Sequence, residues 1–153
     1  MIQHPLFSFD FDPRWQMLSG DGSHAFSFHD IERSLSIALD ACIAELDTAS
    51  IEHFTKALIE SRLLQENAIA AALGRPATIY EPIVIPYPWG RAIAYYGHDD
   101  AGRQFSFSGN VTGHGAISLT LTSGSLSEHE LLAAMDELNR RIQFDRTLLP
   151  HQT

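Results

Sequence analysis

The chain has 153 residues, 44% of them hydrophobic, and its 19 acidic against 10 basic residues give a formal net charge of −9. This length suits a single domain that buries its own core, and the lone cysteine, Cys42, excludes an internal disulfide. The negative charge argues against nucleic-acid binding, because a phosphate backbone would be repelled. Without a basic, apolar leader or an apolar run of roughly 20 residues, we expect a cytoplasmic protein that does not contact membranes.

The first part of the chain alternates apolar and polar residues, which predicts strands. Phe7, Phe9 and Phe11 form a short first strand that Asp12-Pro13 ends. Residues 24–30 alternate again, and Leu35 to Ile43 is the cleanest period-2 run in the sequence. The last two runs predict a hairpin with one solvated face.

A long helix is predicted after this hairpin. Asp47, Thr48 or Ser50 can each cap its start, and Gly74 followed by Pro76 marks its end. Its alanine-rich second half suits close packing on a sheet or the lining of a groove. The apolar stripe of this helix comprises Ile51, Phe54, Leu58, Ile59, Leu63, Ala70 and Leu73.

An extended segment with three prolines follows the helix. Ile79, Ile83 and Ile85 favour strand, whereas prolines at 82, 86 and 88 remove backbone donors. This combination predicts an edge strand or a rim.

Three alternating runs separated by turns then predict an antiparallel meander over residues 91–122. In the first run, Ala92, Ala94 and Tyr96 share one face, and Ile93 and Tyr95 share the other. The later runs alternate through Phe105 and Phe107, and through Ile117, Leu119 and Leu121.

A second helix should close the fold. Ser127 and Glu130 have capping-box spacing, and Leu131, Met135, Leu138 and Ile142 form its apolar stripe. The fold class is therefore α+β, with the order β-β-β-α-β-β-β-β-α and both helices packed on an antiparallel sheet. We expect one domain over residues 1–153, with 144–153 as a loosely held tail, and we expect Leu119 and Leu138 to share its core.

Five features of the sequence together indicate a known layout. They are Phe11-Asp12-Pro13-Arg14-Trp15, the helix from Ile51 to Leu73, Gly90-Arg91, residues 117–122 and residues 127–131. In this order they resemble the PsbP-like superfamily, which includes the bacterial DcrB-like proteins and the effector-associated chaperones of type VI secretion. The resemblance implies a non-enzymatic binding domain, and immunity proteins of secreted bacterial toxins are similar in size and acidity.

Motifs for catalysis, metal binding or phosphate binding are absent from the sequence, which lacks GxSxG, Walker, HExxH and CxxC patterns. His98-Asp99-Asp100 offers groups for a metal or for acid–base chemistry. The same residues before Gly102 are typical of a hairpin turn, and the sequence favours the turn. We expect no cofactor, no metal and no enzymatic activity.

The best candidate for a binding surface is an aromatic group beside two carboxylates. Tyrosine and tryptophan dominate interface hot spots because they join a large apolar body to a polar tip. Trp89 is the predicted anchor. The candidate partner-binding residues are Tyr87, Trp89, Tyr95, Tyr96, His98, Asp99 and Asp100.

These features favour a cytoplasmic, non-enzymatic protein-binding domain, most concretely an immunity protein that occludes a secreted bacterial toxin. A secretion-system effector chaperone is the first alternative, and a small hydrolase or metal enzyme is an alternative from another class. The expected partner is a protein, either a toxin or an effector, and a homodimer remains open.

Overall fold

The computed structural model describes residues 1–20 and 24–144. Two helices lie in this part of the chain, α1 (Thr48–Leu73) and α2 (Glu128–Arg141). The strands are β1 (Ile2–Gln3), β2 (Ser8–Phe9), β3 (Gln16–Ser19), β4 (Ala25–Asp30), β5 (Leu35–Ile43), β6 (Ala77–Ile79), β7 (Ile83–Tyr87), β8 (Gly90–Asp99), β9 (Gln104–Thr112), β10 (Gly115–Ser123) and β11 (Ile142–Gln143). The predicted tail lies outside the described residues, apart from Phe144.

An antiparallel sheet of eight strands forms the centre of the fold, in the order β3-β4-β5-β10-β9-β8, with β6 and β7 both pairing with β8. The predicted meander is β8-β9-β10, and β10 also pairs with β5, so that Leu119 lies between Leu39 and Ser108. The sequence prediction of an α+β fold on an antiparallel sheet is confirmed. The prolines do place β7 at an edge of the sheet, as predicted.

The two helices pack on opposite faces of this sheet. Leu39, Leu119 and Leu121 lie on the α2 face, in one buried cluster with Leu131 and Leu138. On the α1 face, the strands contribute a second cluster with Ile51 of α1, which includes Ile93, Tyr95, Phe105, Phe107 and Val111. The alternation within β8 therefore separates two cores rather than a core from solvent.

A small sheet, in the order β1-β2-β11, joins the two ends of the described chain. Phe9 pairs with both Ile2 and Ile142 and is fully buried. The predicted first strand is thus shortened to Ser8–Phe9 and belongs to this sheet. Ile142, expected on the stripe of the second helix, instead ends that helix and begins β11; its side chain still joins the α2-face core.

Local capping fixes both helices where the sequence indicated. Asp47 is the N-cap of α1, since its Oδ1 accepts the Ser50 N–H at 2.8 Å, and Gly74 ends α1 in the left-handed region at φ 64°. At α2, Ser127 and Glu130 form the predicted reciprocal capping box.

Within residues 1–20 and 24–144, no helix combines the length and apolar character needed to cross a membrane.

Candidate partner-binding surface

The seven predicted binding residues do not form one continuous surface. Tyr95 and Tyr96 point to opposite faces of β8, as the alternation requires, and Tyr95 belongs to the α1-face core while Tyr96 belongs to the α2-face core. Both side chains are buried. Whether any of the seven contacts a partner stays a prediction, but the structure decides which of them are accessible.

Trp89, the predicted anchor, is only 7% exposed, and its contact with a partner stays a prediction. Its indole stacks on the Tyr87 ring at a centroid distance of 5.0 Å and meets the Phe144 ring edge-on at 5.2 Å. The short turn between β7 and β8 places the indole beside Tyr87, and a residue from the far end of the chain covers it. Tyr87 itself remains exposed.

Tyr95 is held by buried polar contacts beneath α1. Its ring stacks on Phe107 at 5.0 Å, and the Arg62 Nε donates a hydrogen bond to its hydroxyl at 3.4 Å. Arg62 also pairs with the buried Glu66 at 3.1 Å. Burial raises the pKa of Tyr95 to about 12, so this phenol stays protonated and serves packing of α1 on the sheet.

Asp99 is buried and caps the β8–β9 hairpin turn. Its Oδ1 accepts the N–H groups of Ala101 at 2.8 Å and Arg103 at 3.0 Å, and Gly102 has a φ of 90°, as the turn prediction requires. Burial alone would raise the pKa of Asp99, but the backbone donors and Arg103 hold it below its usual range. The Asp99 side chain is therefore largely enclosed by its own turn, whereas Asp100 is exposed.

Replacing Asp99 with alanine should lower the free energy of unfolding by about 1–3 kcal/mol, since two backbone donors lose a charged acceptor. The Asp100→Ala control should stay within about 0.5 kcal/mol of the parent. Because the pKa of Asp99 is lowered by folding, its contribution is present above the ordinary value of about 3.9 and disappears as the pH falls through the lowered value. Urea titrations of both variants at neutral and acidic pH measure this, and equal midpoints for the two variants would contradict the turn assignment.

An accessible aromatic surface does exist, but on the α2 face of β7 and β8. Tyr80 stacks on Tyr96 at a centroid distance of 5.6 Å, and its hydroxyl lies 3.4 Å from the His98 Nε2. Ile83 and Ile85 pair with Ala94 and Ala92 of β8 and point to the same face as Tyr96. Sequence reasoning missed Tyr80, Ile83 and Ile85 as binding residues. The alternation through Tyr87 could have shown that Ile83 and Ile85 share its face, whereas the position of Tyr80 depends on its contacts with Tyr96.

Between this surface and α2 lies an open groove with a volume of about 520 Å³, which we call the α2–β7 groove. Its floor includes Ala94, Tyr96, Ser106 and Ser108 of β8 and β9, and no residue of α1 lines it. Tyr80 and Ile83 line it from the β7 side. From the α2 side it is lined by Glu128, Leu132, Met135, Asp136 and Asn139.

Among the residues that the structure describes, the charged side chains that line the groove are all acidic. Glu81, Glu128 and Asp136 line it, and all three are exposed. In the described part of the chain, no lysine or arginine lines the groove. Within residues 1–20 and 24–144, these three carboxylates form no salt bridge.

Residues 1–20 and 24–144 contain no metal-binding cluster, that is, no group of three or more histidine, cysteine, aspartate or glutamate side chains that could hold a metal ion. Cys42 is exposed. His98 lies beside the stacked Tyr80 and Tyr96 rings, at centroid distances of 5.9 and 6.1 Å, and forms an aromatic cluster with them.

Comparison with solved structures identifies the fold. The chain is similar to the solution structure of cyanobacterial PsbP (CyanoP) from Synechocystis sp. PCC 6803, with a TM-score of 0.62 and 12% sequence identity, over 91% of this chain and 86% of that chain. No family model and no curated protein matches the sequence. The chain therefore has a PsbP-like α+β fold, as the order of its predicted elements indicated; at 12% identity the likeness extends to the fold alone.

Proposed function

We propose that this chain is a non-enzymatic protein-binding domain whose partner covers the open α2 face of β7 and β8. The observation that carries the proposal is a contiguous set of exposed apolar side chains on that face. Tyr80, Ile83, Ile85 and Tyr87 are between 42% and 61% exposed. Contiguous apolar surface of this kind marks interaction sites, because leaving it in water costs free energy that a partner recovers.

The more specific proposal is an immunity protein that occludes a secreted bacterial toxin. Its support is the net charge of −9 together with the acidic groove, since such a surface attracts and orients a basic partner during encounter. Occlusion requires a stable one-to-one complex and no turnover.

A secretion-system effector chaperone is the second candidate, and the α2–β7 groove favours it, because a chaperone must shield an apolar segment of its cargo. The product of the neighbouring reading frame separates the two functions. A neighbour that is toxic alone and neutralised by this chain supports immunity. A neighbour that this chain keeps soluble without inhibiting supports the chaperone.

Replacing Ile83 with glutamate should weaken binding of the neighbouring gene product by at least about 2 kcal/mol, because a charge would be buried at the apolar centre of the contact. Ile31→Glu is the matched control, since Ile31 is the same residue type, is 67% exposed and lies in the turn between β4 and β5, outside this surface. Titration calorimetry of the full chain, with a thermal melt of each variant, measures both effects.

Equal binding by the Ile83→Glu and Ile31→Glu variants would remove this surface from the proposal. If much less than one equivalent of this chain sufficed to inactivate its partner, and the partner were chemically changed, the non-enzymatic assignment would be replaced by a catalytic one.

A further inference from the structure

The backbone next to the α2–β7 groove is closed to strand addition. Tyr87 and Gly90 close a two-residue turn, so Ile83, Ile85 and Tyr87 direct their backbone groups towards β8. Residues at the alternate positions direct their backbone groups away from β8, towards the free edge of the sheet, and two of these residues are Pro82 and Pro86. Proline has no N–H, so Val84 is the one donor on the outer edge of β7. A partner strand could not form a ladder there.

The floor of the groove offers few free polar groups. The Ser106 hydroxyl donates to the Tyr95 carbonyl at 3.5 Å, the Ser108 hydroxyl donates to Asn139 at 3.2 Å, and the Tyr96 hydroxyl donates to Gln104. An extended peptide on this floor would leave its own backbone groups unpaired, at a substantial free-energy cost. A helix pairs its backbone groups internally and avoids that cost.

The shape of the groove suits a second helix beside α2. On this face α2 packs over β9 and β10, while Ala94 of β8 and Ile83 and Ile85 of β7 are exposed. The floor residues Ala94, Ser106 and Ser108 are small, so a helix could approach the sheet closely. With 14 residues, α2 provides a wall of about 21 Å, or about four helical turns. Leu132 and Met135 present apolar side chains along that wall.

The outer edge of β7 lacks the donors for strand pairing, the polar groups of the floor are already hydrogen-bonded, and the lining is acidic. We therefore infer that the α2–β7 groove binds an amphipathic α-helix of its protein partner, with one apolar stripe flanked by lysine or arginine. The apolar stripe lies on the floor and against Leu132, Met135 and Ile83. The basic side chains of the helix reach Glu81, Glu128 and Asp136, which have no salt-bridge partner within residues 1–20 and 24–144. This inference rests on the proposed function and names the chemistry of the partner.

The test uses a synthetic helix of about 18 residues, with leucine at i, i+3, i+4 and i+7 spacing and lysine elsewhere, titrated into the full chain. A scrambled peptide of the same composition has no apolar stripe and measures attraction by charge alone. We expect one-to-one binding of the amphipathic peptide, at least about tenfold tighter than the scrambled one, and weakening as salt is raised.

The triple variant Glu81→Gln, Glu128→Gln and Asp136→Asn should lose about tenfold in affinity for the amphipathic peptide, because three rim attractions are removed. The control triple Asp10→Asn, Glu32→Gln and Glu60→Gln changes the net charge equally at exposed sites outside the groove, and it should retain the parental affinity. Thermal melts establish that both triples are folded. Ile83→Glu should also weaken binding of the peptide, which tests the apolar contact independently of the three carboxylates.

Equal affinity for the two peptides, or equal losses in the two triples, would overturn the helix inference. If the peptide fails while Ile83→Glu still abolishes binding of the natural partner, the proposed function stands and only the chemistry of the partner is wrong. A concentration-dependent dimer that Ile83→Glu disrupts would identify a second copy of this chain as the occupant and would also overturn the inference.

Discussion

Replacing Leu138 with alanine is expected to lower the free energy of unfolding by about 2–5 kcal/mol, and Leu119→Ala should have an effect of the same size. Leu138 is fully buried on α2, and Leu119 is 1% exposed at the centre of β10, in the same core cluster. Truncation at either site leaves a cavity that the surrounding strands cannot close, because β10 is paired on both sides.

Leu132→Ala is the matched control on the same helix, since Leu132 faces the groove and is 38% exposed. It should cost clearly less than Leu138→Ala, because the side chain is already partly hydrated. Urea titration of the three variants measures the order of their midpoints. The double variant Leu119→Ala and Leu138→Ala then reports coupling, which is expected if the two side chains share one packed environment. An unchanged midpoint in both core variants would show that α2 does not pack on this face.

The strands of the main sheet could be predicted because each contains enough residues for its alternation to be counted. Leu35 to Ile43 and residues 115–123 pair over nine positions, and both were clear period-2 patterns in the sequence. By contrast, β1, β2 and β11 have two residues each and contain no measurable period. Ile142 fitted the helical stripe equally well, so its place in a strand could be known only from its pairing with Phe9.

The placement of the two helices on opposite faces was not predictable from periodicity. In β9, Phe105 and Phe107 alternate with serines, which is typical of a strand with one wet face. The serine face is instead the floor of the α2–β7 groove, and Ser106 is buried. Small polar residues thus served close packing and internal hydrogen bonding, which their residue type alone does not distinguish from solvation.

The predicted binding residues are only partly accessible, because the prediction treated neighbours in sequence as neighbours on a surface. The hairpin turn with Gly102 was predictable from local chemistry. The backbone N–H groups of this turn bind the Asp99 carboxylate and keep it off the accessible surface. The accessible surface depends on tertiary pairing, since Tyr80 reaches Tyr96 only because the segment before β7 runs beside β8. Acidity was the one site feature that composition did indicate.

The burial of Trp89 leads to the second large expected effect, a loss of about 3–5 kcal/mol in the free energy of unfolding for Trp89→Ala. Removing the indole would expose the parts of Tyr87 and Phe144 that now contact it. The Tyr87 ring stacks on the indole at a centroid distance of 5.0 Å, and the Phe144 ring meets it edge-on at 5.2 Å. Tyr87→Ala is the control, because Tyr87 is already 42% exposed and its stacking contributes only about 0.5–1.5 kcal/mol beyond area burial.

Urea titration gives the stability of both variants, and acrylamide quenching in a Trp15→Phe background reports the accessibility of Trp89 directly. A weakly quenched indole and a lowered midpoint would establish that Trp89 anchors Phe144 to the β7–β8 turn. That contact would then fix the position of Tyr87 at the end of the open face. If Trp89→Ala instead retained the parental midpoint and weakened the natural partner by at least about 2 kcal/mol, the indole would be an interface hot spot, and the binding surface would have to extend from the groove to the turn.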